Sequence, residues 1–187
     1  MVGKGGHGMN IMMQNNKWVE PNYDATHRVA EVVVERVVAA GMANQTLLTA
    51  FDIKTIAHAR NVCGDCGIRT GWLALSERAT GVPWGLAWIV SWFRSCIVPW
   101  RDSSQYLDKV EAYGLDALVP EATILDDALL EEARRCGIQV FVWWMGVNTT
   151  SCETPENMQE LANRGVTGFI TPQVTMGIAA RVQAGHD

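Results

Sequence analysis

The feature that most constrains this chain is an alternation. Six short apolar runs, Met9–Met13, Thr46–Ala50, 68–75, 115–119, 138–145 and 166–170, are separated by longer segments of helical periodicity. The runs are continuously apolar, as expected of parallel strands buried on both faces. The segments between them carry helix punctuation. Asp24 is placed to cap a helix over 25–40, with Val29, Val33 and Val37 on one face and Gly41 as a left-handed stop. A strand through Val32, Val33 and Val34 is the competing reading, disfavoured by the charges at Arg28, Glu31, Glu35 and Arg36. Asp52, Ser104 and Asp126 are placed to cap three more helices, the last two followed by Gly114 and Gly137. Thr154-Pro155-Glu156 begins a fifth, with proline at the first helical position and an acid in the first turn, and Gly165 ends it. Strand, helix, short turn, strand implies a parallel sheet with right-handed crossovers, either doubly wound or closed into a barrel. No Gly-x-Gly-x-x-Gly or Gly-x-x-x-x-Gly-Lys-Ser/Thr follows a strand, so the usual nucleotide sites of an open sheet are absent and a barrel is favoured.

Composition narrows the function classes. With 187 residues, 48% hydrophobic and a net charge of −5, the chain has apolar content for one core, and the expectation is a single domain over 1–187. The sequence pI near 5.4 argues against a nucleic-acid partner. The lead to Asn16 has no apolar signal segment, so the expected address is cytoplasmic. Five cysteines in a chain of this size read as reduced thiols rather than a disulfide framework. Cys63-Gly64-Asp65-Cys66 is a lone C-x-x-C with no second pair at metal spacing, and Cys96, Cys136 and Cys152 read as small core or loop residues. No Gly-x-Ser-x-Gly is present, and His58 and His186 suggest no nucleophilic triad.

The stretch 82–100 stands apart as a Trp-rich apolar insertion. Trp84, Trp88 and Trp92 fall at helical spacing, with Leu86, Ile89, Val90 and Phe93 covering much of the remaining surface. Pro83, Arg94 and Pro99 interrupt it, so it is no transmembrane span. A helix that plugs an incomplete barrel, an oligomer contact and an interfacial membrane segment all remain open.

Four segments, in order, carry a family resemblance. Asn10-Ile11-Met12-Met13-Gln14 resembles the Asn-Ile-Glu-Ile-Lys strand of the glycerophosphodiester phosphodiesterase family, and Leu48-Thr49-Ala50-Phe51-Asp52 resembles its Ser-Ser-Phe-Asp segment. Gly137-Ile138-Gln139-Val140-Phe141-Val142-Trp143 is similar to its Gly-x-x-Val-x-x-Trp strand, and the segment from Gly165 to Thr171 to its closing Gly-Val-Asp-Gly-Ile-Ile-Thr-Asp. The resemblance implies an α/β fold, a partial TIM-type (β/α) barrel of about six parallel strands, corresponding to the family's third to eighth. It implies a phosphoric diester hydrolase of lipid and glycerophosphodiester metabolism that would use Mg²⁺ or Ca²⁺ if the activity is retained.

The family's first two strands, with their His-Arg-Gly, Pro-Glu-Asn and Glu-x-Asp motifs, have no counterpart here. About 250 residues is typical of a complete barrel, so 187 is short by roughly two βα units. His27-Arg28 reads as part of a solvated helix face, His7-Gly8 as part of a flexible lead, and Pro155-Glu156-Asn157 as a helix start. Where the family has its metal-binding glutamate this chain has Met12, and a thioether does not replace a carboxylate for a hard cation. No catalytic or metal residue can therefore be named, and no cofactor is expected of this chain alone. The resemblance leaves four candidate substrate-binding residues: Gln14, Glu121, Trp143 and Thr171. For Glu121 a solvated loop acid is the competing role, and for Trp143 a barrel-filling aromatic. The expectation is a phosphodiesterase-like protein that is catalytically incomplete, with a glycerophosphodiester or phospholipid-derived ligand. The alternative is a non-catalytic binding or scaffold protein. Two exposed edges of a partial sheet require cover, and a homo-oligomer supplies it, with Trp84–Trp92 near the contact.

Overall fold

A computed structural model describes residues 9–13, 23–76, 97–98, 104–144 and 154–171. The elements run β1 (Met9–Met13), α1 (Tyr23–Ala39), β2 (Thr46–Ala50), α2 (Ile53–Cys63), β3 (Arg69–Ser76), β4 (Ile97–Val98), α3 (Ser104–Ala112), β5 (Ala117–Pro120), α4 (Asp127–Cys136), β6 (Gln139–Trp143), α5 (Pro155–Asn163) and β7 (Gly168–Ile170). The strands pair in parallel in the order β1-β2-β3-β5-β6-β7, and two-residue β4 joins the end of β3. Six parallel strands with alternating helices form a curled half-barrel.

The capping signals explain most helix boundaries. Asp52 accepts from the Thr55 N–H at 3.1 Å, Asp126 from the Leu129 N–H at 2.7 Å, and the Thr154 hydroxyl from the Asn157 N–H at 3.2 Å. Gly41, Gly114, Gly137 and Gly165 all hold positive φ just after helices, where an L side chain would be strained. Two expected caps are corrected. α1 starts at Tyr23, so Asp24 lies inside its first turn, and α3 starts on Ser104 itself. Val32–Val34 is helical, as the charge pattern requires. The Trp84–Trp92 segment lies outside the described residues; of the insertion only β4 is described, a pairing that the helical spacing before it does not announce.

Strand parity divides the side chains into two layers, because alternate residues face opposite sides of the sheet. Leu48, Ala50, Trp72, Leu118, Val140 and Val142 face the helices and share one core with Ile56, Ala59, Tyr106, Val110, Leu129 and Ala133. The other row, with Leu47, Thr49, Leu73, Leu75, Ala117 and Val119, is also buried and lines the concave side. Gly71 belongs to this inner row. A Cβ there would lie 2.9 Å from Val119 Cγ2 and 3.3 Å from Ala117 Cβ, so the curvature leaves room only for glycine. Phe51 and Trp143 make the curl explicit. Two strands, β3 and β5, separate theirs, yet the rings meet edge to face at 5.4 Å between centroids. A flat sheet would hold the parent strands about 14 Å apart; inward curling brings the side chains together.

Candidate functional site

In a parallel βα fold the strands' C-terminal ends, with the loops that follow, form the face available for ligands. Inner-row parity carries three side chains to that rim: Phe51 just after β2, Glu121 just after β5, and Trp143 at the end of β6. Each register is fixed by the strand beneath it. Glu121 continues the buried row Ala117, Val119 and is itself 3% exposed. Its backbone N–H donates to the Ala74 carbonyl at 3.0 Å, and a parallel bridge joins it to Trp143. The Trp143 indole N–H donates to the Val119 carbonyl at 3.1 Å, which sets the ring's angle, and Phe51 closes against its side. The Phe51 carbonyl in turn accepts from the buried Trp72 indole at 3.0 Å. The rim therefore presents a half-buried aromatic pair beside a carboxylate. Rings offer flat apolar surface to carbon backbones, and a carboxylate accepts hydrogen bonds from hydroxyls.

Of the four expected site residues, the structure brings Glu121 and Trp143 together. The role of Glu121 as a solvated loop acid is corrected: the first inner-row position beyond β5 holds it in the wall of the half-barrel. Thr171 is half-buried, one residue beyond Ile170, the register partner of Trp143. Gln14 lies outside the described residues. Phe51 was not nominated, although it sits in the matched Ala50-Phe51-Asp52 segment; the signal was its parity with Thr49, which places it inward.

Two further expectations are corrected. His27 does not sit on a solvated face. It is half-buried and stacks on His58 of α2 at 3.9 Å, and His58 also pairs with Glu31 at 3.2 Å, so α1 and α2 meet through imidazoles. Arg28 beside it is exposed, as expected of that face. Cys63 and Cys66 are not reduced thiols but a disulfide. Proximity explains this, since the turn after α2 brings their Cα atoms to 5.2 Å, well within bonding range. Cys136 is free and half-buried; burial pushes its thiol up, reinforced by a hydrogen bond to Glu111.

A divalent metal does not fit the groups that the described residues place together. Among the described residues no group of three or more His, Cys, Asp or Glu side chains is placed to hold an ion. Position 12, opposite Thr49 in the register, carries methionine where a hard cation would need carboxylate oxygen.

No family model matches the sequence, and no curated protein matches it. Solved structures share the fold. A candidate glycerophosphoryl diester phosphodiesterase from Silicibacter pomeroyi superposes with a TM-score of 0.69 at 16% identity, over 95% of this chain and 51% of that one. A phosphodiesterase from Oleispira antarctica, solved with its product sn-glycerol-3-phosphate, superposes at 0.57 and 12% identity, over 96% of this chain and 56% of that one. A DHDPS from Cyanidioschyzon merolae with lysine bound superposes at 0.56 and 10% identity, over 95% and 60%. The chain thus spans somewhat over half the length of the structures it matches. At these identities the likeness is one of fold, and fold alone does not fix function.

Proposed function

We propose that this chain is a glycerophosphodiesterase-like half-barrel that binds a glycerophosphodiester or related phospholipid-derived ligand at its strand-end rim and is catalytically incomplete on its own. The observation that carries the reading is the Phe51, Glu121 and Trp143 cluster at the ligand-facing end of a fold shared with phosphodiesterases. In this role the Trp143 and Phe51 rings pack on the glycerol carbons and Glu121 accepts from a glycerol hydroxyl, with Gln14 and Thr171 as further contacts at neighbouring strand ends. Hydrolysis by the family's route would need Mg²⁺ or Ca²⁺ on carboxylates that must come from elsewhere than the described residues. A single domain over 1–187 and a cytoplasmic address belong to the same reading. Among the described residues no helix is long and apolar enough to cross a membrane.

Calorimetric titration of the full chain with glycerophosphocholine and with sn-glycerol 3-phosphate tests it. Binding that weakens at least tenfold in Trp143→Ala and in Glu121→Gln is expected. Equal affinity in the wild type and both variants, or no heat with either ligand, contradicts it.

A non-catalytic scaffold that assembles as a homo-oligomer is the second reading, favoured by α1. His27 and Glu31 turn one flank of this helix to α2. At 100° per residue the other flank carries Val29 (52% exposed), Val32 (44%) and half-buried Val33. The helix follows β1, the end strand of the described order. Apolar flank and an edge strand that has no second neighbour among the described residues together suit a neighbouring βα unit from a second copy. Light scattering at micromolar concentration that returned a monomer would remove this reading.

A further inference from the structure

We propose that Cys63 and Cys66 form a reversible thiol–disulfide site at the strands' N-terminal end, in which Cys66 meets the external disulfide and Cys63 is the resolving thiol. The pair lies at the opposite end of the half-barrel from Glu121 and Trp143, and the proposal is independent of the ligand assigned to that rim. The turn is built to hold the two sulfurs together. Gly64 (φ 55°) and Gly67 (φ 91°) take left-handed conformations, and the Cys66 N–H donates to the Cys63 carbonyl at 3.1 Å. The Arg60 side chain reaches over the turn to the Gly64 carbonyl at 2.7 Å. A Cβ on Gly67 would strike the Asn44 side chain, so the turn is seated against the segment that leads into β2.

The two cysteines are not equivalent. Cys63 is the last residue of α2, 8% exposed and packed into the helix-facing core, whereas Cys66 is half-buried in the turn beyond it. A thiolate on Cys63 would sit at the negative end of the helix dipole and away from solvent, and both factors disfavour first attack. The site therefore runs opposite to C-x-x-C pairs that present their first cysteine at a helix N-terminus. With oxidised glutathione as oxidant, the Cys66 thiolate attacks one glutathione sulfur, giving a mixed disulfide and one glutathione thiolate. Cys63 then loses its proton to solvent, attacks Cys66 Sγ and expels the second glutathione. Two protein thiols are oxidised by two electrons, and one glutathione disulfide becomes two thiols. A dithiol reductant reverses both steps. Closure locks the end of α2 to the turn that leads into β3, and reduction of so short a loop should lower Tm by about 4–8 °C.

Trypsin isolates the site, because peptide 61–69 holds these two cysteines and no other. The full chain is reduced with dithiothreitol, treated with oxidised glutathione, alkylated and digested. Wild-type peptide 61–69 should return as the internal disulfide without retained glutathione. Cys63→Ser should carry glutathione on Cys66, and Cys66→Ser should leave Cys63 as the alkylated thiol. Brief limiting alkylation of the reduced wild type, read by fragment ions, gives the same order without a variant: Cys66 should label first. A wild-type peptide that stays dithiol, or faster reaction at Cys63 in either format, overturns the proposal, as does a Tm unchanged by reduction.

Discussion

The two ends of the strands are built on different principles. At the N-terminal end polar groups satisfy one another across strands and helices. Asp116 accepts from the Thr70 N–H at 2.8 Å and from its hydroxyl at 2.9 Å, and Arg60 spans from α2 to the Gly114 carbonyl at 3.4 Å and the Asp116 carboxylate at 4.0 Å. Thr46 donates to the Met42 carbonyl, the Thr167 hydroxyl accepts from Val140, and Arg69 reaches Gln139 across the inner row. At the C-terminal end the inner row carries two half-buried rings and a buried carboxylate. The floor is laced by polar contacts between strands and helices, while the rim sets two rings beside a buried carboxylate. In a βα half-barrel this division separates what keeps the sheet together from what can bind.

The largest effect should come from the residue that ties the rim to the helix layer. Trp72 packs against Tyr106 and under Lys109 on the helix side and donates to the Phe51 carbonyl at the rim. Trp72→Ala should cost about 3–5 kcal/mol in urea unfolding and abolish ligand binding as well. Asp116→Ala comes next. It leaves the Thr70 N–H of a fully buried residue without its acceptor, so about 2–3 kcal/mol should be lost, with ligand affinity unchanged. Loss of binding in Asp116→Ala would break the separation of floor from rim. Trp143→Phe keeps a ring but removes the hydrogen bond to Val119. About 1 kcal/mol of stability and a clear loss of affinity are expected, the converse of Asp116.

The smallest effect is a pH dependence on the outside of α4. The Arg135 hydrogen bond holds the Glu132 carboxyl below its usual value, and the same contact raises the Arg135 guanidinium. A depressed carboxylate stabilises the fold above the unfolded pKa, and that stability fades as pH falls from about 4.3 through the lower folded value. The Tm gap between the wild type and Glu132→Gln should therefore narrow on acidification, and only slightly, since the pair is on the surface. A gap that widens would reverse the sign.

Much of the element order was legible because its signals are local, caps on the rim side and glycine stops on the floor side. Asp52, Asp126 and Thr154 cap within three residues, and glycine stops follow the helices, so element order could be read along the chain. Asp24 failed as a cap because the helix begins at Tyr23, one residue before it, and propensity does not locate a boundary that finely. The rim was less legible because its contacts are long-range. Nothing near Glu121 in sequence tells that it is walled in; the inner-row register across β3, β5 and β6 decides it. The disulfide was missed for another reason. A compositional expectation about compartments outweighed the short spacing, although the two glycines flanking Cys66 already permit the tight turn that brings the sulfurs together.

The most direct test is turnover. The purified full chain is incubated with glycerophosphocholine and Mg²⁺, then Ca²⁺, and choline and glycerol 3-phosphate are quantified. With methionine at position 12 and a rim of Phe51, Glu121 and Trp143, no release above the protein-free control is expected under conditions where calorimetry records binding. Metal-dependent release that survives purification and disappears in Glu121→Gln would contradict the incomplete site and make Glu121 part of a working one.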